Sequence, residues 1–148
     1  MAISPDGTWL ASASYDGTAR LWNPDGTQLA TLTGHTDSVS SVAISPDSTW
    51  LATTSHDRTV RLWNPDGTQL ATLDHTGSVL SVAISPDSTW LATTSRDRTV
   101  RLWETATREH VTALKLDSEL RDLKWFPSGN ALAVGGSSGL YLLDLRTE

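Results

Sequence analysis

The sequence has no cysteine, and this absence limits both its chemistry and its means of stabilisation. Disulfide bridges and thiolate metal sites are excluded, so burial and hydrogen bonds must hold the fold together. Basic residues are also few, with 11 Lys and Arg against 17 Asp and Glu, which gives a net charge of −6. A nucleic-acid-binding face needs clustered cationic side chains, so nucleic acid is not an expected partner.

Long apolar runs are missing as well. The longest wholly apolar stretches span only a few residues, so neither a membrane-spanning helix nor a secretory leader is expected. The four histidines are scattered along the chain, which argues against a metal cluster, and no cofactor is expected. We therefore expect one cytoplasmic domain over residues 1–148, with no membrane contact.

What the sequence does contain is repetition. The stretch 42–74 recurs almost unchanged before and after itself. One column of the repeat is occupied by Ile3, Ile44, Ile84 and Trp125. These residues stand 41, 40 and 41 positions apart. A period of about 40 to 45 residues with four short apolar runs is typical of one blade of a propeller.

The central repeat shows how a blade is built. Its apolar runs are each five or six residues long and rich in β-branched types, which predicts the four strands 39–44, 50–55, 59–63 and 68–73. The connections carry Pro, Asp and Gly, the residues that tight turns require. No segment shows a sustained helical period. Each blade is therefore expected to be four antiparallel strands joined by hairpin turns.

The repeat divides the chain into four blades, at about 1–33, 34–73, 74–115 and 116–148. The first is expected to have a shortened inner strand, and the fourth to lack its outer strand. The loop that enters the third blade is one residue shorter than its counterpart, since 73–75 stands where 32–35 stood.

Three features of the second repeat indicate a family: Gly34-His35, then Ser55-His56-Asp57, then Trp63 at the end of the third strand. This pattern resembles the WD-repeat family of β-propellers, in particular the repeats of bacterial and cyanobacterial signalling proteins. The resemblance covers essentially the whole chain and implies an all-β propeller of just under four four-stranded blades, an incomplete ring. It also implies a non-catalytic protein-interaction scaffold or sensor.

In that family, a His, a Ser or Thr, an Asp and a Trp of each blade form a hydrogen-bonded tetrad that maintains the fold. The resemblance implies two complete tetrads and one incomplete set, which consist of His35, Ser55, Asp57 and Trp63; His75, Ser95, Asp97 and Trp103; and Ser14, Asp16 and Trp22. Ser, His and Asp together also suggest a hydrolase triad. Their recurrence at one spacing favours a structural network and no catalytic residues.

Positions that vary between near-identical repeats are the candidates for partner binding. One variable column precedes the turn aspartate, and the other is the second residue of the inner strand. The resemblance implies that both columns lie on one surface, the entrance face of the central channel, which comprises Tyr15, His56, Arg96, Ser40, Leu80 and Arg121. Tyr and Arg are favoured at interface hot spots. Drift at exposed positions is the alternative explanation.

An incomplete propeller leaves apolar side chains and strand edges in water. Two copies related by a two-fold axis would give eight blades, and such homodimers are the commonest closed assembly. Alternatively, the chain is the C-terminal part of a longer propeller, or less favourably a four-bladed monomer. The alternative function is therefore a self-assembly module that closes a ring without an external partner.

Overall fold

The computed structural model describes residues 1–146, and within this range the chain forms strands, turns and loops but no helix. It is all-β, as predicted, with four antiparallel sheets that are the blades of a propeller. The predicted end of the fourth blade at residue 148 lies outside the described residues. None of the described segments is a helix long and apolar enough to cross a membrane.

The first two blades contain four strands each. Blade 1 consists of β1 (Ala2–Ile3), β2 (Leu10–Ala13), β3 (Ala19–Trp22) and β4 (Gln28–Leu32). Blade 2 consists of β5 (Val39–Ile44), β6 (Leu51–Ser55), β7 (Thr59–Trp63) and β8 (Gln69–Asp74). Every neighbouring pair within these sheets is antiparallel, so each strand follows the previous one by a hairpin.

The last two blades repeat this plan. Blade 3 consists of β9 (Val79–Ile84), β10 (Trp90–Ser95), β11 (Thr99–Glu104) and β12 (His110–Lys115). Blade 4 consists of β13 (Leu120–Trp125), β14 (Ala131–Gly136) and β15 (Gly139–Asp144). It therefore has three strands among the described residues, and its inner strand β13 packs beside β9.

The strand register reproduces the repeat column found in the sequence. Ile3 pairs with Leu10 in blade 1. Trp125 pairs with Leu132 in blade 4. The two middle members of the column, Ile44 and Ile84, pair with the corresponding leucines of blades 2 and 3. The four inner strands are thus equivalent, which explains why one hydrophobic pattern specifies every blade.

The core consists of three clusters, each lying between two successive blades. Because strand side chains alternate, every blade has a leading face toward the preceding blade and a trailing face toward the following one. On the leading face of blade 2, Leu51 and Trp63 are buried in the cluster shared with blade 1. On its trailing face, Ala52, Val60 and Leu62 are buried in the cluster shared with blade 3.

The ring of blades is not closed, which leaves one face open at each end. On the leading face of blade 1, Ile3 is 65% exposed. On the trailing face of blade 4, Leu140 and Leu142 are 68% and 63% exposed. Their counterparts in blade 3, Val100 and Leu102, are only 5% and 8% exposed because blade 4 covers them.

Blade 4 has a shorter central turn than its siblings. Gly136 pairs directly with Gly139, so the turn loses one residue relative to blade 3. As a result Leu143 pairs with Leu132 and occupies the position that Trp103 has in blade 3. An apolar side chain therefore packs against the core cluster between blades 3 and 4.

Candidate functional site

Three of the variable residues, Tyr15, His56 and Arg96, lie in the turns between the second and third strands of their blades. Backbone hydrogen bonds hold these turns against the loops that enter the blades. The amide of His56 donates to the carbonyl of Ser38 over 3.0 Å, and that of Arg96 donates to the carbonyl of Ser78 over 2.9 Å.

Serine hydroxyls join two of these turns, those of Tyr15 and His56, to the next blade. Ser38 donates from Oγ to the carbonyl oxygen of Tyr15, and Ser78 donates to that of His56, both over 3.2 Å. The side chains of the entrance face are therefore presented by a supported backbone, which lowers the entropy lost when a partner orders them.

A cavity of about 630 Å³ lies between the inner strands of blades 3 and 4, at the end where those strands begin. We call it the blade 3–4 cavity. It is lined by Leu80, Arg96, Glu119, Leu120 and Arg121. Three of the six predicted partner-binding residues thus come together, although they belong to a turn and two different strands.

The other three predicted residues do not reach this cavity. Tyr15 is 89% exposed and borders a separate shallow depression beside His35 and Asp37. Ser40 links blade 2 to blade 3, because its hydroxyl donates to the carbonyl oxygen of Val79 over 2.6 Å. His56 is half-buried in its turn. The entrance face therefore contains one concave region and several isolated contact positions.

Sequence reasoning missed two residues of the blade 3–4 cavity, Glu119 and Leu120. Both immediately precede Arg121, where the loop that enters blade 4 meets β13. The backbone of this loop is fixed, because the carbonyl of Glu119 accepts a hydrogen bond from the amide of Ser137 over 2.8 Å. The signal was available: in the preceding blades the equivalent loop supplies Ser38 and Ser78, which contact the same turns.

The buried polar network of blade 2 is a continuous chain of hydrogen bonds. The indole N–H of Trp63 donates to Oγ1 of Thr53 over 2.9 Å. Thr53 Oγ1 lies 2.8 Å from Nε2 of His35, and Nδ1 of that ring lies 2.8 Å from Oδ2 of Asp57. The His35 and Asp57 side chains are only 1% and 4% exposed.

The partners of the His35 ring fix its tautomer. The Asp57 carboxylate can only accept, so the proton of the neutral ring is on Nδ1, from which it is donated to Asp57. Nε2 is then an acceptor, so the Thr53 hydroxyl accepts from the Trp63 indole and donates to Nε2. Burial lowers the pKa of His35 more than the neighbouring Asp57 raises it, which favours this neutral form.

The carboxylate end of the network is stabilised by several donors. Burial alone would raise the pKa of Asp57, but hydrogen bonds from the Thr59 hydroxyl, the His35 ring and the Thr36 amide outweigh it and lower the pKa. The Thr59 hydroxyl donates over 2.7 Å. Asp57 is therefore ionised and fully supplied with hydrogen-bond donors.

The expectation for Ser55 is corrected by this geometry. Its hydroxyl donates to the carbonyl oxygen of Asp37 over 3.0 Å and accepts from the amide of Asp57, so it stabilises the turn and has no bond to His35. The physical reason is strand register. Trp63 pairs with Leu51, so Thr53 is its diagonal neighbour on the same face, whereas Ser55 lies two positions farther along the strand.

In blade 3 the predicted tetrad is not closed. The hydroxyl that joins Trp103 to Nε2 of His75 belongs to Thr93 and not to Ser95, over 3.3 and 3.0 Å. Nδ1 of His75 is buried without a hydrogen-bond partner among the described residues, so the predicted bond to Asp97 is absent there.

The shorter entering loop accounts for this difference. His75 is held by its own amide, which donates to the carbonyl of Arg58 over 2.8 Å. Oδ2 of Asp97 instead accepts from the Thr76 hydroxyl over 2.5 Å. Burial lowers the pKa of His75 to about 4, with the charges of Arg101 and His110 acting in the same direction.

Blade 1 shows the same register in its incomplete set. The indole of Trp22 donates to Ser12 Oγ over 2.9 Å, and Ser14 accepts instead from the amide of Asp16. Asp16 is satisfied within the chain, because Thr18 and Arg20 both donate to its carboxylate over 2.6 Å. Hydrogen bonds from Thr18 lower the pKa of Asp16 to about 2.

Blade 4 uses a different polar cluster at the corresponding place. Tyr141 lies across from Val134, the position that Arg101 holds relative to Thr93 in blade 3. The Tyr141 hydroxyl donates to the carboxylate of Asp117 and lies 3.0 Å from Ser118 Oγ.

Comparison with known protein families agrees with the repeated blade plan. The family model described as "WD domain, G-beta repeat" matches residues 1–23, 26–64 and 67–104. Proteins built from such repeats are generally non-catalytic modules that mediate protein–protein interactions. The chain belongs to the WD40 family, and it folds as a partial WD-repeat propeller.

Proposed function

We propose that this chain is a protein-interaction scaffold whose partner docks on the entrance face. The observation that carries the proposal is the convergence of Leu80, Arg96 and Arg121 on the blade 3–4 cavity. These are positions at which otherwise near-identical repeats differ. Arginine is enriched among interface hot spots, and a concave site lets a partner side chain become desolvated. The proposal keeps the cytoplasmic setting that was expected from the short apolar runs of the sequence.

A triple variant tests this function. Tyr15→Ala, His56→Ala and Arg96→Ala together should abolish capture of partner proteins from extracts of the source organism. The matched control carries Arg58→Ala and Arg98→Ala. These two arginines are exposed in the turns that hold His56 and Arg96, and neither lines the blade 3–4 cavity. It should capture partners normally. Undiminished capture by a folded triple variant would contradict the proposal.

We propose further that the scaffold has no catalytic activity of its own. The Thr53 hydroxyl bonded to His35 is completely buried, so no substrate reaches it. Ser55 is equally buried and bonds to backbone groups. A serine-reactive phosphonate should therefore leave both Ser55 and Ser95 unmodified, as mass spectrometry of tryptic peptides would report. Labelling of either serine would revive the hydrolase interpretation.

A second candidate function is self-assembly, and it is favoured by the exposed apolar faces at the two ends of the blade array. Leu140 and Leu142 form on blade 4 the kind of surface that every internal blade buries against its neighbour. Ile3 is exposed on the opposite end, the leading face of blade 1. Two copies related by a two-fold axis could cover both faces and complete eight blades.

Leu142→Lys tests the self-assembly candidate, because it places a charge in the middle of the open trailing face. The matched control is Leu29→Lys on the outer strand β4, where the leucine is also about half exposed, at 51%. Size-exclusion chromatography should show dissociation for the first variant and not for the second. Equal elution of both variants and the unmodified chain would contradict self-assembly through this face.

A further inference from the structure

Two arginines that line the blade 3–4 cavity have no bonded partner in it. Among residues 1–146, the side chains of Arg96 and Arg121 form neither an ion pair nor a hydrogen bond. Two arginines elsewhere in the chain are engaged, because Arg20 pairs with Asp16 over 2.6 Å and Arg61 bonds to Gln69 over 2.7 Å. In an acidic chain with a net charge of −6, two unpaired guanidinium groups in one concavity are available to an external anion.

The charge balance of the cavity favours a singly charged ligand. Glu119 also lines it, so the two arginines and this carboxylate together carry one net positive charge. A carboxylate would neutralise that charge, whereas a phosphate dianion would leave one uncompensated negative charge beside Glu119, which is costly in a site shielded from water. The planar fork of an arginine matches the two oxygens of a carboxylate.

The remaining lining of the cavity is apolar. It consists of Leu80, which is half-buried, and Leu120, which is completely buried. A ligand whose charge meets Arg96 and Arg121 would therefore bring an adjacent apolar group against Leu80. Acidic side chains next to aliphatic ones have this combination of chemistry.

The junction between blades 2 and 3 lacks this pair of arginines. The blade 2 residues that correspond to Leu80 and Arg96 are Ser40 and His56. The Ser40 hydroxyl is already bonded to Thr54 Oγ1 over 2.9 Å and to the carbonyl of Val79. Arg96, Arg121 and Leu80 thus come together between blades 3 and 4, and no such group is present among the described residues between blades 2 and 3.

We infer that the blade 3–4 cavity binds a glutamate or aspartate side chain of an acidic, leucine-containing segment of a partner protein. The carboxylate lies between Arg96 and Arg121, and the neighbouring apolar side chain contacts Leu80. This inference rests on the proposed scaffold function and specifies its partner.

Fluorescence anisotropy with short labelled peptides tests the assignment. The probe alternates glutamate and leucine, and its counterparts carry glutamine or phosphoserine in place of glutamate. Arg96→Gln and Arg121→Gln should each weaken binding of the glutamate peptide about tenfold, as expected when one charge-assisted hydrogen-bonding partner is lost. Arg98→Gln, in the same turn as Arg96 but outside the cavity lining, is the matched control and should bind normally.

Several outcomes would overturn the inference: no binding of the glutamate peptide, equal binding of the glutamine peptide, tighter binding of the phosphoserine peptide, or equal loss in the Arg98 control. Each of these leaves the scaffold function standing if the triple variant still loses its captured partners. Loss of acidic selectivity and undiminished capture together would contradict both proposals. Thermal unfolding by circular dichroism verifies that each variant is folded, which these exposed positions should permit.

Discussion

Nδ1 of His35 lies 2.8 Å from Oδ2 of Asp57, and this contact completes a hydrogen-bonded chain that begins at the indole of Trp63. The equivalent nitrogen of His75 in the following blade is buried without a partner among the described residues. Two blades of nearly identical sequence therefore differ in how well their buried polar groups are satisfied. The difference arises from one residue in the entering loop.

Thr53→Val should lower the free energy of unfolding by about 1 to 3 kcal/mol, because it leaves a buried indole N–H and a histidine nitrogen unsatisfied. It should also accelerate hydrogen exchange at the Trp63 indole, measured by NMR, since that proton is held by Thr53 Oγ1. Ser55→Ala is the control and should leave the exchange rate of the Trp63 indole unchanged. Acceleration by Ser55→Ala alone would contradict the assigned network.

His75 should make the protein less stable in mild acid. Its pKa is about 4 in the folded protein against an ordinary value near 6.5, so the unfolded chain binds more protons between these values. The stabilisation from neutral His75 is complete above pH 6.5 and is lost as the pH falls toward 4. The loss should be on the order of 2 to 3 kcal/mol.

Urea unfolding at several pH values within that window measures this effect, and His75→Gln is the test variant. Glutamine retains a polar group for Thr93 but does not titrate, so the variant should lose less stability on acidification than the unmodified chain. The pKa of His35 is also lowered, so His35 adds to the loss of stability in acid equally in the unmodified chain and in His75→Gln. Identical pH profiles for the two proteins would show that His75 is not the titrating group.

Ser88→Gly should raise stability by about 1 kcal/mol. Ser88 has φ 62° in the turn after β9, a left-handed conformation that costs an L-residue with a side chain roughly 1 to 2 kcal/mol. Blades 1 and 4 place Gly7 and Gly129 at the same turn position, with φ 72° and 73°. Thermal unfolding should show a higher Tm for Ser88→Gly than for the unmodified chain. Ser88→Ala retains a Cβ and should show no increase in Tm.

Ser48→Gly provides an internal comparison for that prediction. Ser48 has the same conformation, with φ 61°, but its hydroxyl also accepts a hydrogen bond from the amide of Asp6 in the neighbouring blade over 3.2 Å. Its replacement should therefore stabilise the protein less than Ser88→Gly does. Equal gains would indicate that the contact between blades has no net effect.

The strands and blades were predictable because the same sequence pattern occurs in each repeat. Hydrophobic alternation in one blade is copied in its neighbours, and the predicted strands 39–44 and 59–63 agree with β5 and β7 at both ends. The inner-strand column through Ile3 and Trp125 was also predicted and is confirmed by the pairing with Leu10 and Leu132.

The polar networks were less predictable, because they depend on register at the level of single residues. Thr53 and Ser55 lie on the same face of one strand, and only the pairing of Trp63 with Leu51 decides which hydroxyl the indole reaches. The missing bond of His75 follows from where a shortened loop places its ring, which no residue pattern encodes. Glu119 was missed because it belongs to a loop that the repeat column does not include.

The blades of this chain form an unclosed ring with apolar faces at both ends, and those faces should associate in water. Sedimentation equilibrium of the unmodified chain at micromolar concentration measures this association. We expect a dimer or larger assembly, with a mass at least twice the 16.0 kDa of one chain. A single species of 16.0 kDa over the whole concentration range would contradict this expectation, because those faces would then be stable in water.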